Sequence, residues 1–195
     1  MLINKEYCRD LEQATTREWL ETNGIGGFAS STIVGMNTRR YHGLLVPALH
    51  PPVGRIVALS SYQETVRLNG RAYELGCNQY KSTVHPQGYR HLEYVQDTPY
   101  PTFGYKIGDA RIRKHIFMPY GKNATVVSYE SDRDISLEIR PLIAYRDYHH
   151  TTRQNDAINA SPKIGPNALH YTPYEGQPPL HITHTDGLFI GDGFW

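Results

Sequence analysis

Apolar and polar residues alternate with a period of two along much of the chain, the spacing of half-buried β-strands. Ile135, Leu137 and Ile139 alternate with Ser136, Glu138 and Arg140. Within residues 105–116, a Gly108-Asp109 turn is followed by Ile112 and Ile116 on one face and Arg111, Arg113 and His115 on the other. Asn69-Gly70 stands between the extended ends of residues 67–73, the strongest short-range hairpin signal. Residues 123–130 and 135–143 read as two further strands around the polar turn Ser131-Asp132-Arg133-Asp134. Helical spacing is scarce: Tyr7, Leu11 and Ala14 mark one short turn near the N-terminus. From about Tyr145 the texture becomes polar and rich in Pro and Gly, so residues 148–152 and 161–166 read as long loops. Two late strands are expected at residues 180–184 and 187–191. Hairpin after hairpin, without intervening helices, predicts an all-β antiparallel sandwich forming one domain over 1–195.

The segment NGIGGFASST, beginning at Asn23, fits G-x-G-x-x-G/A through Gly24, Gly26 and Ala29. A dinucleotide site needs a buried strand before that pattern, a helix after it and an acid about 20 residues on. Residues 16–22 are too polar for a central parallel strand, and Ser30 to Gly35 are β-branched and make a poor helix. No Asp or Glu occurs between Glu21 and Glu64. The glycines are therefore expected to bend one strand into the next.

Composition narrows the function classes. A formal charge of +1 gives no basic field for nucleic acid or for a membrane surface. No apolar run approaches the roughly 20 residues of a membrane helix. The N-terminus lacks a signal-peptide pattern. Two cysteines, Cys8 and Cys77, make no disulfide framework, and a cytoplasmic setting is expected. Fifteen tyrosines against five phenylalanines suit half-buried strands and wet, polar binding surfaces.

The region without acids holds Arg39, Arg40 and Arg55, so these cations must find a carboxylate elsewhere, a sugar hydroxyl or solvent. Around them several motifs occur in order. They are Glu18-Trp19-Leu20, the segment from Thr22 to Ser30, and Asn37-Thr38-Arg39-Arg40-Tyr41-His42-Gly43-Leu44-Leu45-Val46. Pro51-Pro52-Val53-Gly54-Arg55 follows, and much later Arg140-Pro141-Leu142-Ile143-Ala144-Tyr145-Arg146-Asp147-Tyr148-His149. Together the string covers most of the chain and resembles the N-terminal domain of the archaeal and bacterial type of glycogen debranching enzyme, an amylo-α-1,6-glucosidase. That resemblance implies a β-supersandwich, here shorter than the complete one, with the loss of its final strands left open. It also implies a catalytic (α/α)6 barrel as the partner in the full-length enzyme, with glycogen or α-glucan as the bound polymer.

In that family the acid and base belong to the barrel, so no catalytic residue is assigned here. Glu64, Glu74, Glu93, Asp97, Asp109 and Asp147 are scattered and read as surface or turn acids. The candidates for substrate contact, or for facing the barrel, are Arg39, Arg40, Tyr41 and His42, with Arg146, Asp147, Tyr148 and His149. Two arrangements compete. The two loops meet and face the barrel's active site, or Arg39 or Arg40 pairs with Asp147 merely to hold them together. His149-His150 and His181-Ile182-Thr183-His184 are the close histidine pairs, and residues three apart on a strand face opposite ways, so no metal is expected. No cofactor is expected either. The alternatives to a supporting domain are a free carbohydrate-binding module and a scaffold that forms a homodimer through an open sheet edge.

Overall fold

The computed structural model describes residues 2–153, 155–159 and 161–191. About 51% of it is strand and 7% helix, in antiparallel sheets packed together without barrel closure, so the fold is the all-β sandwich that the alternation predicts. The chain comprises two compact units, Met1–Thr151 and Thr152–Trp195.

In the first unit the strands are β1 (Leu2–Asn4), β2 (Glu18–Thr22), β3 (Phe28–Thr32), β4 (Gly43–Val46), β5 (Ala48–His50), β6 (Val53–Leu68) and β7 (Arg71–Glu74). They continue with β8 (Cys77–Gln79), β9 (Val84–Gln87), β10 (Leu92–Gln96), β11 (Thr102–Ile107), β12 (Ala110–Phe117), β13 (Val126–Ser131) and β14 (Ser136–Asp147). One sheet has the order β1-β10-β11-β12-β13. The other has the order β14-β6-β4-β3-β2, with β5 and β7 also paired to β6, and β8-β9 form a separate ribbon. The 16-residue β6 is the spine. Along one side β14 follows it from Ser136↔Arg67 to Asp147↔Ile56, while β5, β4 and β7 share the other.

Both expected two-residue hairpins form. Asn69 and Gly70 join β6 to β7 with φ of 51° and 73°, the left-handed pair a type I′ turn requires. Gly108, at φ 59°, turns β11 into β12. On β12, Ile112 and Ile116 are buried while Arg111 and Arg113 are exposed, as period-two alternation demands. The strands around Ser131-Asp132-Arg133-Asp134 also form, yet they do not pair with each other. β13 lies beside β12 in one sheet and β14 beside β6 in the other. Alternation tells which residues extend, whereas the neighbour is chosen by which faces can be buried together.

Trp19 of β2 meets Phe103 of β11 edge-on at 6.1 Å, so the two sheets share one apolar interior. A charged clamp crosses the same interior: Glu64 of β6 accepts from Lys114 of β12 and, at 2.7 Å, from Tyr129 of β13. Near the N-terminus two short helices, α1 (Lys5–Arg9) and α2 (Leu11–Ala14), are capped by the Asn4 and Asp10 side chains. Their buried residues are Cys8 and Ala14, while Tyr7 is exposed, so the spacing Tyr7, Leu11, Ala14 does not trace the buried face.

The second unit holds a three-stranded antiparallel sheet of β15 (Lys163–Gly165), β16 (Ala168–Tyr171) and β17 (Leu180–Thr183). Residues 161–166, read as loop, thus contain a strand. Asn167 at φ 54° supplies the left-handed turn that the composition hides among prolines. The strand expected over 187–191 is not formed, since Leu188 and Ile190 remain exposed and find no apolar surface to alternate against.

Candidate functional site

The glycine-rich stretch is the turn of the antiparallel β2–β3 hairpin, as the failed fingerprint implied. Asn23 is fully buried and organises it. Its Oδ1 accepts from the Ile25 and Gly27 amides at 3.1 and 2.9 Å. Its Nδ2 donates to the Lys122 carbonyl at 3.0 Å and to Asn123 Oδ1 at 2.9 Å. Asn123 carries the link onward, exchanging hydrogen bonds with both backbone groups of Ala48. Gly24 and Gly26 have φ of +76° and +98°, and a Cβ would stand 2.2 Å from the Tyr120 ring and 2.5 Å from the Pro52 carbonyl oxygen. Glycine is required there by conformation and by close approach, not by a phosphate. Arg55 donates to the Gly26 carbonyl at 2.6 Å, which is one fate of the cations in the acid-free region.

The two motif loops meet. Arg40 donates to the His149 carbonyl at 2.9 Å, and Arg146 donates to the Arg40 carbonyl at 2.6 Å, so each arginine closes on the opposite loop's backbone. Tyr41 lies 5.3 Å from the Tyr148 ring and 5.8 Å from the His149 ring, and its hydroxyl is 3.3 Å from His149 Nδ1. A bulge in β14 aims the second loop. Between Ile143↔Leu59 and Arg146↔Val57 the strand carries one residue more than its partner, with Tyr145 at φ 44°. Burial, reinforced by the Arg40 charge, draws the Arg146 guanidinium below its ordinary value, and Asp147 opposes this.

The eight candidates have different surroundings. Tyr148 is half-buried on the core cluster of Val46, Val57 and Ala144, with the Arg55 guanidinium 5.7 Å from its ring. Tyr41, Arg40 and His149 are exposed. Asp147 accepts from the His149 amide at 2.8 Å and stands 3.5 Å from His150 Nδ1. Neither Arg39 nor Arg40 reaches Asp147, which corrects the simple arginine–aspartate clamp: backbone carbonyls are nearer partners for Arg40 and Arg146, and Arg39 turns instead to Glu18 at 2.7 Å.

His42 is 3% exposed, and the chain wraps its ring. The Thr38 and Arg39 amides point at Nδ1 from 3.2 and 3.4 Å, so Nδ1 is the acceptor and the ring proton sits on Nε2. Nε2 lies 3.2 Å from Glu18 Oε1 but is not aligned for a hydrogen bond, so the carboxylate acts on it through charge rather than direction. Burial holds the His42 pKa below its ordinary value; Glu18 pulls it up and Arg39 adds to the lowering. His42 is a neutral structural group and offers no surface to a ligand.

Most of the scattered acids find local partners. Glu93 pairs with Arg9 at 2.5 Å, Asp109 lies 3.6 Å from Arg133 and Glu74 lies 3.8 Å from His85. Glu64 departs from the surface reading, being 3% exposed. Val66 and Leu68, the next two positions on its face of β6, are buried with it. Among the described residues no three His, Cys, Asp or Glu side chains gather as metal ligands. A histidine pair the sequence did not reveal, His170 and His181, faces across β16 and β17 with Nδ1 atoms 2.6 Å apart. Cys8 and Cys77 are free and buried, with thiols pushed up to about 11 by burial. No helix is long and apolar enough to cross a membrane.

The family described as glycogen debranching enzyme N terminal matches residues 17–195. No curated protein and no solved structure matches the chain. The match begins at the residue before β2 and takes in the Asn23 turn and both converging loops. With nearly the whole chain matched, and an all-β sandwich as its fold, this chain belongs to the glycogen debranching enzyme N-terminal family.

Proposed function

We propose that the chain acts as the non-catalytic N-terminal domain of a cytoplasmic α-1,6-glucosidase of glycogen breakdown, and that the junction of its two motif loops is the contact surface for α-glucan and for the catalytic barrel. One observation carries this reading. Two loops more than a hundred residues apart in sequence are drawn together by reciprocal arginine–carbonyl bonds, and the junction leaves Tyr41, Arg40 and His149 at the surface. Aromatic faces beside cationic and imidazole donors suit a polyhydroxylated ligand, with rings against C–H faces and donors on hydroxyls. Tyr148 plays a supporting part, since its ring is anchored on the core and holds Tyr41 from behind.

The test is affinity electrophoresis through gels containing glycogen. The chain is expected to be retarded, and Tyr41→Ala with His149→Ala is expected to remove most of the retardation without lowering the melting temperature. An unretarded wild-type chain, or retardation that the double variant keeps in full, rejects the glucan-contact reading.

A further inference from the structure

The small sheet of the second unit places two imidazoles together on its open face. β16 and β17 pair with His170 directly opposite His181. Leu169 and Tyr171 on either side of His170 are buried, and so is Leu180 beside His181, so alternation turns both histidines to solvent. Opposed residues of an antiparallel pair have Cβ atoms about 4.5–5.5 Å apart, and the ladder holds that spacing. Here the two rings stand 4.8 Å apart and nearly perpendicular, at 77°, with their Nδ1 atoms 2.6 Å from each other. The sequence hides this arrangement. His181 and His184, three apart, suggest no chelate along one strand, whereas the partner of His181 lies on the neighbouring strand.

Two Nδ1 lone pairs cannot face each other at that distance unless a positive centre lies between them. In the metal-free pair it is a proton, which one Nδ1 donates and the other accepts. A metal ion can take the same place. Bonds of about 2.0–2.1 Å to imidazole nitrogen set two such nitrogens roughly 2.9 Å apart at a right angle and roughly 3.3 Å apart at the tetrahedral angle. The rings therefore need to part by well under one ångström. Gly165, diagonal to His170 on β15, leaves the far side of that ring open, since an added Cβ would stand 3.9 Å from His170 Nε2. Among the described residues no third His, Cys, Asp or Glu side chain joins the pair. The next residue in the row, opposite His170 on β15, is Lys163. A cation beside that amine gains nothing from charge alone. The pair thus gives no hold to Mg²⁺ or Ca²⁺, which take oxygen ligands, and suits ions that bond to imidazole.

We propose that His170 and His181 form a two-imidazole site for one divalent transition-metal ion, with Cu²⁺ preferred over Zn²⁺, bound through both Nδ1 atoms and completed by water. On binding, the proton between the rings leaves to solvent, each ring keeps a proton on Nε2, and the ion bonds to the two freed lone pairs. No electron is transferred. The ion fastens β16 to β17 in a small unit, where a metal tie supplements the little apolar surface such a unit can bury. The site shares no residue with the loop junction.

The test uses the full chain, stripped with EDTA and titrated calorimetrically with CuCl₂, ZnCl₂ and MgCl₂ in a non-chelating buffer. The copper-loaded chain is then examined by electron paramagnetic resonance. The tightest class of site is expected to hold one Cu²⁺ per chain with splittings from two nitrogens, to hold Zn²⁺ more weakly and to ignore Mg²⁺. His170→Ala and His181→Ala are each expected to weaken Cu²⁺ binding by about tenfold or more, because two linked ligands bind far better than either alone, and to remove one nitrogen from the signal. Both side chains are exposed, and the corresponding glutamine variants keep a polar group on the face should alanine loosen the strands. His85→Ala, at an exposed histidine of β9, is expected to change nothing. Cu²⁺ held equally well by both His170 and His181 variants, variants that halve the stoichiometry without weakening affinity, or an equal response to Mg²⁺ overturns the proposal.

Discussion

At the scale of single residues, the chemistry of the motif segments is spent largely on the fold. Asn23 uses both side-chain atoms twice, on the turn and on the segment around Lys122. His42 spends Nδ1 on two amides. The state of His42 has a pH consequence whose sign follows from its surroundings, Glu18 and Arg39 being the charged groups that act on it. Its folded pKa is depressed, so between the folded value and the ordinary one near 6.5 the unfolded chain binds the extra proton. Stability from this group is therefore full above about pH 6.5 and is lost as pH falls through the depressed value. His91, also held down by burial and then by Arg9, adds in the same direction. Denaturant midpoints are expected to drop between neutral pH and pH about 5, and His42→Gln, whose amide oxygen can still accept from the backbone, is expected to flatten part of that drop. A midpoint that is level with pH in the wild-type chain would contradict this assignment of the neutral ring.

At the scale of elements, β6 does most of the organising. It pairs with four strands, and its Glu64 reaches across to the other sheet. Glu64 is buried on one sheet and its partners Lys114 and Tyr129 face each other on the other. Burial first, and then the Glu64 charge, push the Tyr129 hydroxyl well above its ordinary pKa, so it remains a donor throughout the working range. Removing one partner of such a pair strands the other without compensation. Glu64→Leu is therefore expected to cost about 3–5 kcal/mol in chemical denaturation, and Glu64→Leu with Lys114→Met and Tyr129→Phe much less. If the single variant were as stable as the wild-type chain, the clamp would have no part in joining the sheets. The bulge at Tyr145 in β14 acts differently: it turns Arg146 and its neighbours toward Arg40 and Tyr41.

At the scale of the whole molecule, the first unit contains both large sheets and the loop junction, and the second carries a small sheet of its own. Most of the acids that could serve a hydrolase are tied to cations, amides or turn hydroxyls of the fold. On the proposed reading the purified chain is expected to release no glucose from a branched limit dextrin over the background of a heat-denatured sample. Sustained release would show a catalytic pair of carboxyl groups within these residues.

Local chemistry made much of this legible in advance. Asn69-Gly70 and Gly108-Asp109 named their hairpins because few residues accept positive φ. Alternation on β12 named its buried face, and the context of the glycines ruled out a helix after them. The order of the motifs indicated the family. What stayed hidden depends on partners distant in sequence. The separation of β13 from β14 into different sheets, the burial of Glu64, the pairing of His170 with His181 and the choice of Glu18 by Arg39 are contacts between segments that no local spacing connects. The sequence by itself thus determined which residues extend, which turn and which family the chain resembles, because those depend on backbone preferences and on order along the chain. Only the tertiary structure decided which charges are buried, which loops meet and which histidines stand opposite each other, because burial and cross-strand contacts arise when two surfaces close on each other.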